Sequence, residues 1–411
     1  MSGPHHLFQR FGVELEYMIV DQASLDVRPI SDKVLAAQAG EITGDVDFGD
    51  LSWSNELVLH VIELKTGEPV SSFDRLADSF QAGVGRINDI LAPMGGRLMP
   101  TSMHPWMDPH REMRLWPHDY GEVYAAFDRI FDCRGHGWAN LQSVHLNLPF
   151  YGDEEFGRLH AAIRLLLPIL PALAASSPFK DGKPGGFADA RLNTYKSNCK
   201  RIPSITGRVI PEPVFTMQAY QDQILQQIYR DLAPHDPEGL LQDEWANARG
   251  AIPRFDRDTI EIRVLDIQEC PAADIAVLSL ICSALEALAG ERWSDVGHQQ
   301  SFSVDALKPI LTATIREGDR AAITDGAYLR SLGMGDQSVT AREVWCHLRE
   351  ACLPHTGQIA GATAPLDVIL GEGNLSSRIV RAVGGDFRRQ RLTEVYTEIC
   401  DCLAKGRMLR A

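Results

Sequence analysis

Charged residues recur at every second position in two short segments whose neighbours are strand formers. Residues 11–21 carry Glu14 and Glu16 on a frame of Val13, Leu15, Tyr17 and Ile19, and residues 259–266 carry Glu261 and Arg263 between Ile260, Ile262 and Val264. Side chains of an extended strand alternate faces with period two, so each segment has one apolar face and one charged face. Carboxylates gathered on one face are hard oxygen ligands suited to divalent cations. The need for such ions is quantitative. Two carboxylates about 4 Å apart repel by roughly 1 kcal/mol in bulk water and roughly 4 kcal/mol at an effective dielectric near 20. A domain is stable by only about 5–15 kcal/mol. Several acids converging in a sheltered groove therefore require a cation or a shared proton.

The pattern recurs. Residues 55–66, closed by Gly67 and Pro69, have the β-branched and leucine content of a strand and carry Glu56 and Glu63. These two have opposite parity, so either Glu56 precedes the strand proper or a bulge resets the alternation. In residues 142–149, Ser143, His145 and Asn147 share one face and Val144, Leu146 and Leu148 the other. A lone His145 reads as a hydrogen-bonded sheet histidine; beside four or five glutamates on analogous strands it reads as a ligand.

Positioning these residues requires a sheet. Clean alternation, with acids inside strands rather than at their carboxyl ends, favours an antiparallel sheet over a doubly wound parallel one. The expected class is α+β, a curved groove with helices packed on its outer face. Phe73, Leu76, Ala77, Phe80, Val84, Ile87 and Leu91 form a helical stripe, with Ser71 or Ser72 as N-cap and Gly95–Gly96 as the stop. Met217, Tyr220, Ile224, Ile228 and Leu232 form another. A third helix runs from Pro271 to about Gly290, and residues 376–405 give one or two helices broken near Gly384–Gly385. Residues 161–175, the longest apolar stretch, are too short to span a bilayer and read as a buried helix bent at Pro168 and Pro171. No linker or repeat divides the chain. One catalytic domain over 1–411 is expected, with sheet and site within about 11–290 and a helical part at about 291–411.

With 411 residues, 45% hydrophobic and 23% charged, the composition is globular. A net charge of −15 opposes a phosphate-backbone surface, so nucleic acid is excluded as a partner. Eight scattered cysteines without a Cys-x-x-Cys pair, and an N-terminus without the apolar core of a signal peptide, point to a cytoplasmic setting with no membrane partner. Cys346, His347, Cys352 and His355 do not match zinc spacings. Both common phosphate-cradling loops, Gly-x-Gly-x-x-Gly and Gly-x-x-x-x-Gly-Lys-Ser/Thr, are absent. Anion binding instead points to Arg191, Lys196, Lys200, Arg201 and Arg208, five cations within eighteen positions, and to Arg249 and Arg254 ahead of the Glu261 strand.

Together these segments resemble the type 2 glutamate–cysteine ligases, the carboxylate–amine ligase family of the glutamine synthetase-like superfamily. The resemblance is carried by Gly12 to Glu16, Glu56 with Ile62 to Thr66, Ser143 to His145 with Asn147, Tyr195 to Gly207, and Thr259 to Arg263 with Asp266. It extends from about Gly12 to Leu288. Two positions depart from the family pattern: Ser143 stands where a first histidine is usual, and Lys196 where arginine is usual.

The resemblance implies a glutamine synthetase catalytic-domain-like fold and an ATP- and Mg²⁺-dependent ligase. Glu14, Glu16, Glu63, His145 and Glu261 would hold two or three Mg²⁺ ions, with Mn²⁺ as an alternative. Glu261 and Arg263 would be catalytic, with Arg263 meeting the transferring phosphoryl group. Lys196, Arg201 and Arg263 would contact ATP. Glu56, Asn147, Tyr195, Arg191 and Arg249 would contact a glutamate-like carboxylate and an amine, and His136 would help position the amine. A homodimer is the one assembly envisaged. A guanidine-kinase-like phosphotransferase and a non-catalytic ATP- and metal-binding relative are the alternative readings.

Overall fold

A computed structural model describes residues 4–353 and 363–411. Among them one eight-stranded sheet organises the chain. Its strands are β1 (Gly12–Asp21), β2 (Asp45–Phe48), β3 (Leu51–Asn55), β4 (Val61–Thr66), β5 (Gly96–Met99), β6 (Ser143–Pro149), β7 (Ala251–Arg254) and β8 (Thr259–Asp266). The order is β2-β3-β4-β1-β6-β8-β7, with β5 pairing the distal end of β1, and every pairing is antiparallel. The sheet stays open rather than closing into a barrel.

The apolar face carries Val13, Leu15, Tyr17, Ile62, Leu64, Val144, Leu146, Ile260 and Ile262, all buried in one large cluster. Helices α1 (Leu76–Leu91), α3 (Gly152–Leu166) and α4 (Pro271–Ala289) cover that face, whereas α2 (Gly121–Phe131) borders the groove on the other. In α1, Phe80, Val84, Ile87 and Leu91 recur at spacings of four, three and four and point into the cluster. The helix starts at Leu76, later than Ser71 or Ser72, because the Ser72 hydroxyl accepts from the Asp74 amide and closes a turn upstream.

The apolar stretch 161–175 bends at its prolines as expected, passing from α3 through a 3₁₀ turn (Leu167–Ile169) into a short helix (Leu170–Ala174). Residues 152–174 and 271–289 are each apolar enough to cross a membrane by composition, yet both lie largely inside the core. The 217–232 stripe is one helical run with a π turn at Gln221–Leu225. The tail forms α5 (Leu375–Val383) and α6 (Arg389–Lys405), separated at Gly384 and Gly385, both with positive φ.

Two departures from regular strands place the site. Residues 55–66 form a hairpin corner rather than one strand: β3 ends at Asn55, and Glu56 lies in the loop before β4. In β8 the register shifts between Ile262 and Leu265, so that Asp266 pairs with Ser143 while Glu261 pairs with Asn147. That bulge returns Asp266 to the face of Glu261 despite its opposite parity. Of the cysteines and histidines in residues 346–355, His347 bonds the Leu332 carbonyl, and His355 lies outside the described residues.

The C-terminal segment is tied to the end of β8. The Arg378 guanidinium, fully buried, pairs with Glu269 and donates to the Leu409 carbonyl at 2.8 Å, while the Leu409 amide donates to Glu269 at 3.2 Å. Removing one partner of a buried pair strands the other charge, at about 3–5 kcal/mol. Arg378→Met is expected to lower the urea midpoint by that order, whereas Arg388→Met, at the exposed Asp386 pair, leaves it unchanged. Equal midpoints for Arg378→Met and the parent would mean that the tail is not docked as described.

Candidate active site

Register alone brings the acids together. Glu14 lies opposite Lys65 on β4 and His145 on β6, Glu16 lies opposite Glu63, Ser54 lies opposite Glu63 on β3, and Glu261 lies opposite Asn147. All face the uncovered side of the sheet, where a groove of about 1400 Å³ runs. Glu16, Glu63, His145 and Glu261 are all buried, between 5% and 8% exposed.

Hydrogen bonds fix them. His145 Nδ1 donates to Glu14 Oε2 at 2.8 Å, and Asn147 donates to Glu14 Oε1 at 2.9 Å. On the other side of the ring, Nε2 contacts the Ser143 hydroxyl at 3.0 Å; Ser143 in turn donates to Glu16 Oε2 from its amide at 2.8 Å and its hydroxyl at 3.1 Å. Ser54 donates to Glu63 at 2.7 Å. Arg263 Nε stands 3.0 Å from Glu261 Oε1 as an ion pair without hydrogen-bond alignment, so that buried oxygen has no hydrogen-bond partner among the described residues, and Arg254 Nη1 stands 3.9 Å from Oε2.

The electrostatics are those of an anion excess around one imidazole. Burial opposes charging of Glu14, but the hydrogen bond and charge of His145 outweigh it and bring the carboxyl to about 2. Burial, then the Glu14 charge, pushes Glu63 up to about 7. Burial and the Glu16 and Glu63 charges push Glu56 well above the carboxylate range. Burial opposes the charge on His145, yet the bond to Glu14 and the surrounding carboxylates raise it to about 9.

Two triplets of donor atoms each lie within 4.8 Å of one another: Glu14, Glu63 and His145, and Glu16, Glu56 and Glu63. Glu63 belongs to both. Mostly carboxylate, buried and short of positive charge, this donor set fits Mg²⁺ or Mn²⁺. Glu261 stands beside the triplets, 3.9 Å from His145 Nδ1, and Glu56, expected to meet substrate, stands within one of them.

Of the other expected residues, Arg263, Asn147, Tyr195 and Arg191 line the groove. Arg191 is buried against Asp266, which also accepts from the Ser176 amide and the Ser177 hydroxyl. Three basic residues do not line it. Arg249 is buried and bidentate on Glu212, bracing the 204–212 segment through the Ser204 carbonyl. Arg201 donates to the Ile130 carbonyl at 2.9 Å, and Lys196 points outward over the Phe187 ring. Composition counted these cations; it could not say which side of the loop each occupies. His136 also faces elsewhere, pairing with Asp181 at 2.9 Å in a separate cavity of about 640 Å³. Gly137 has a packing reason: a Cβ there would meet the Asn198 side-chain oxygen at 2.0 Å.

Sequence reading missed Lys65, Tyr124, Trp138 and Trp245 as site residues, all on the groove. Arg254, expected with Arg249 as a basic element ahead of the Glu261 strand, does line the groove, sharing parity with Ile252, the register partner of Glu261.

The sequence model of glutamate–cysteine ligase family 2 matches residues 10–398. The chain belongs to that family. A relative from Archaeoglobus fulgidus, named "Uncharacterized protein", is 35% identical over 308 residues, 75% of this chain and 80% of its own. A Rubrobacter xylanophilus protein named "Putative glutamate--cysteine ligase 2-3" is 24% identical over 89% of this chain and 94% of its own. Among solved structures, glutamate–cysteine ligase from Francisella tularensis in complex with AMP superposes with a TM-score of 0.61 at 13% identity, covering 96% of this chain and 89% of that one. A bifunctional glutathione synthetase from Pasteurella multocida gives 0.62 at 12% identity, covering 95% of this chain and 53% of that longer one. At such identities the likeness establishes the fold.

For this family member the groove sets a pH signature. Folded Glu63 and Glu56 bind protons more tightly than the unfolded chain, so each costs stability as pH rises above about 4.5, Glu63 through about 7. The raised pKa of His145 stabilises fully below about 6.5 and stops doing so as pH rises through about 9. All three act in the same direction, and a divalent ion would compensate the ionised acids. Metal-free protein should therefore melt at lower temperature at pH 8.5 than at pH 6, and millimolar Mg²⁺ should raise the midpoint by on the order of a few degrees at pH 8.5 and by less at pH 6. An Mg²⁺ shift that is absent, or larger at pH 6, contradicts the cluster's role.

Proposed function

We propose that the protein is an ATP- and Mg²⁺-dependent carboxylate–amine ligase that joins a glutamate-like γ-carboxylate to an amine. Family membership supports the reaction class, and one observation carries the reading to these residues: the buried carboxylate–histidine cluster and Arg263 share a single groove. Glu14, Glu16, Glu63 and His145 would hold the ions, with Glu261 beside them. Bound Mg²⁺ would offset the charge of the ATP phosphates and the acids together.

The donor carboxylate oxygen attacks the γ-phosphorus, the bond to ADP breaks, and an acyl phosphate forms. The amine nitrogen then attacks the acyl carbon, loses a proton and displaces phosphate, leaving an amide. Phosphoryl transfer asks chiefly for alignment and charge stabilisation. Arg263, set by the β8 bulge, would donate to oxygens of the transferring group. Arg254, on the other side of Glu261, would add a second guanidinium. Asn147 would hold Glu14 in place, and Ser143 would orient both Glu16 and His145.

ADP release from Mg-ATP and glutamate, with a panel of amines, tests the reading. Glu261→Gln and Arg263→Ala should each lower turnover by about 100-fold or more while the melting temperature stays close to that of the parent. Turnover retained in either variant would move the chemistry elsewhere. A phosphorylated acceptor with no amide by mass spectrometry would assign a phosphotransferase instead.

A further inference from the structure

Near the end of β8 the groove meets a guanidinium that is buried and only partly used. Arg191 is 1% exposed and lines the groove. Its Nε donates to Asp266 Oδ1 at 2.5 Å, while neither Nη has a hydrogen-bond partner among the described residues, and Nη2 is buried. Arginine and carboxylate often pair through two parallel bonds. Here the second oxygen of Asp266 is already taken, by the Ser176 amide and the Ser177 hydroxyl, each at 2.8 Å. The Ser177 hydroxyl also accepts from the Arg191 amide at 3.1 Å, so backbone and side chain are both fixed. Asp189, the other acid whose charge acts on Arg191, accepts from the Leu192 amide at 2.6 Å and makes no hydrogen bond to Arg191. Unused donors on a buried, braced guanidinium call for an oxygen from outside the chain.

Two reactants are anionic, and the length of the groove separates them. Arg10, Arg254 and Arg257 line its other end, just before β1, at the end of β7 and just before β8. Glu261 and Asp266 pair with Asn147 and Ser143, four residues apart on β6 and so roughly 13 Å along the strand. Several cations suit a polyphosphate; one planar fork, buried and braced, suits a single carboxylate. Arg263 lies between the ends on β8, and Tyr195 is close to both guanidinia: burial raises its phenol, and Arg263 and Arg191 draw it back.

We infer that Arg191 holds a second carboxylate on the donor, so that the site selects dicarboxylic acids and presents the far carboxylate to Arg263. This rests on the ligase reading and names the donor class of the same site. A donor lacking that carboxylate leaves the Nη groups unpaired, and a site built to bond a group discriminates strongly against analogues without it.

Hydroxylamine serves as the amine throughout, so that only the donor varies. With Mg-ATP, hydroxamate formation is measured for glutamate against 4-aminobutyrate and for glutarate against butyrate, each pair differing by the second carboxylate. Each dicarboxylate should exceed its partner in kcat/KM by about 100-fold or more. In Arg191→Met that ratio should fall by about tenfold or more, with KM for ATP unchanged. The ratio does not depend on how much enzyme is folded. Arg191→Lys, which keeps a cation on Asp266 but loses the fork, should lower it as well. Monocarboxylates matching the dicarboxylates in the parent, or hydroxamate from a monocarboxylate alone, overturn the inference. So does an unchanged ratio in Arg191→Met, or in Arg191→Lys should Arg191→Met not fold. A rise in KM for ATP with the ratio unchanged would place Arg191 at the nucleotide and overturn it too. Absence of hydroxamate from every carboxylate tried defeats the ligase reading itself, and this inference with it.

Discussion

Mutual repulsion among carboxylates is the constraint on which the rest depends. Four glutamates from three strands face one groove, and the imidazole of His145 touches or nearly touches three of them. One imidazolium cannot neutralise that many acids, and the strain surfaces as opposite displacements: Glu14 is held near 2 while Glu63 rises to about 7. Such a cluster is tolerated in a fold whose net stability is small only if protons or divalent ions enter it. Structure and chemistry therefore share one requirement, because what makes the groove expensive when empty of cations is what would let it orient a polyphosphate.

Everything around the cluster serves its geometry. Antiparallel pairing puts acids from β1, β4 and β8 on one face at fixed register, and the helices on the other face make slippage costly, since a one-residue shift would turn Val13, Leu15 and Ile62 toward water. The β8 bulge adds Asp266 to the groove side, where it holds Arg191. Arg378 and Glu269, just past β8, fasten the C-terminal segment to the same strand.

Much of this was legible in the sequence, and for a definite reason. Period-two alternation survives tertiary folding when one face is fully buried, so Glu14, Glu16, Glu63, His145 and Glu261 could be placed on one surface before any register was known. The opposite parity of Glu56 and Glu63 signalled a break, which the hairpin corner supplies. What local pattern does not encode is the direction of a side chain on an irregular segment. Lys196, Arg201 and Arg249 sit in loops, where burial against Glu212 or a carbonyl of α2 decides their role. Trp138 and Trp245 became visible only through ring contacts between distant elements.

Sharing of Glu63 by two ligand triplets is the most exposed claim, and Mn²⁺ titration followed by electron paramagnetic resonance tests it most directly. The account predicts two bound ions close enough to couple magnetically in the parent protein, and loss of the coupled signal in Glu63→Gln with the fold intact. Absence of bound Mn²⁺ in the parent, or an unchanged coupled pair in Glu63→Gln, would contradict it.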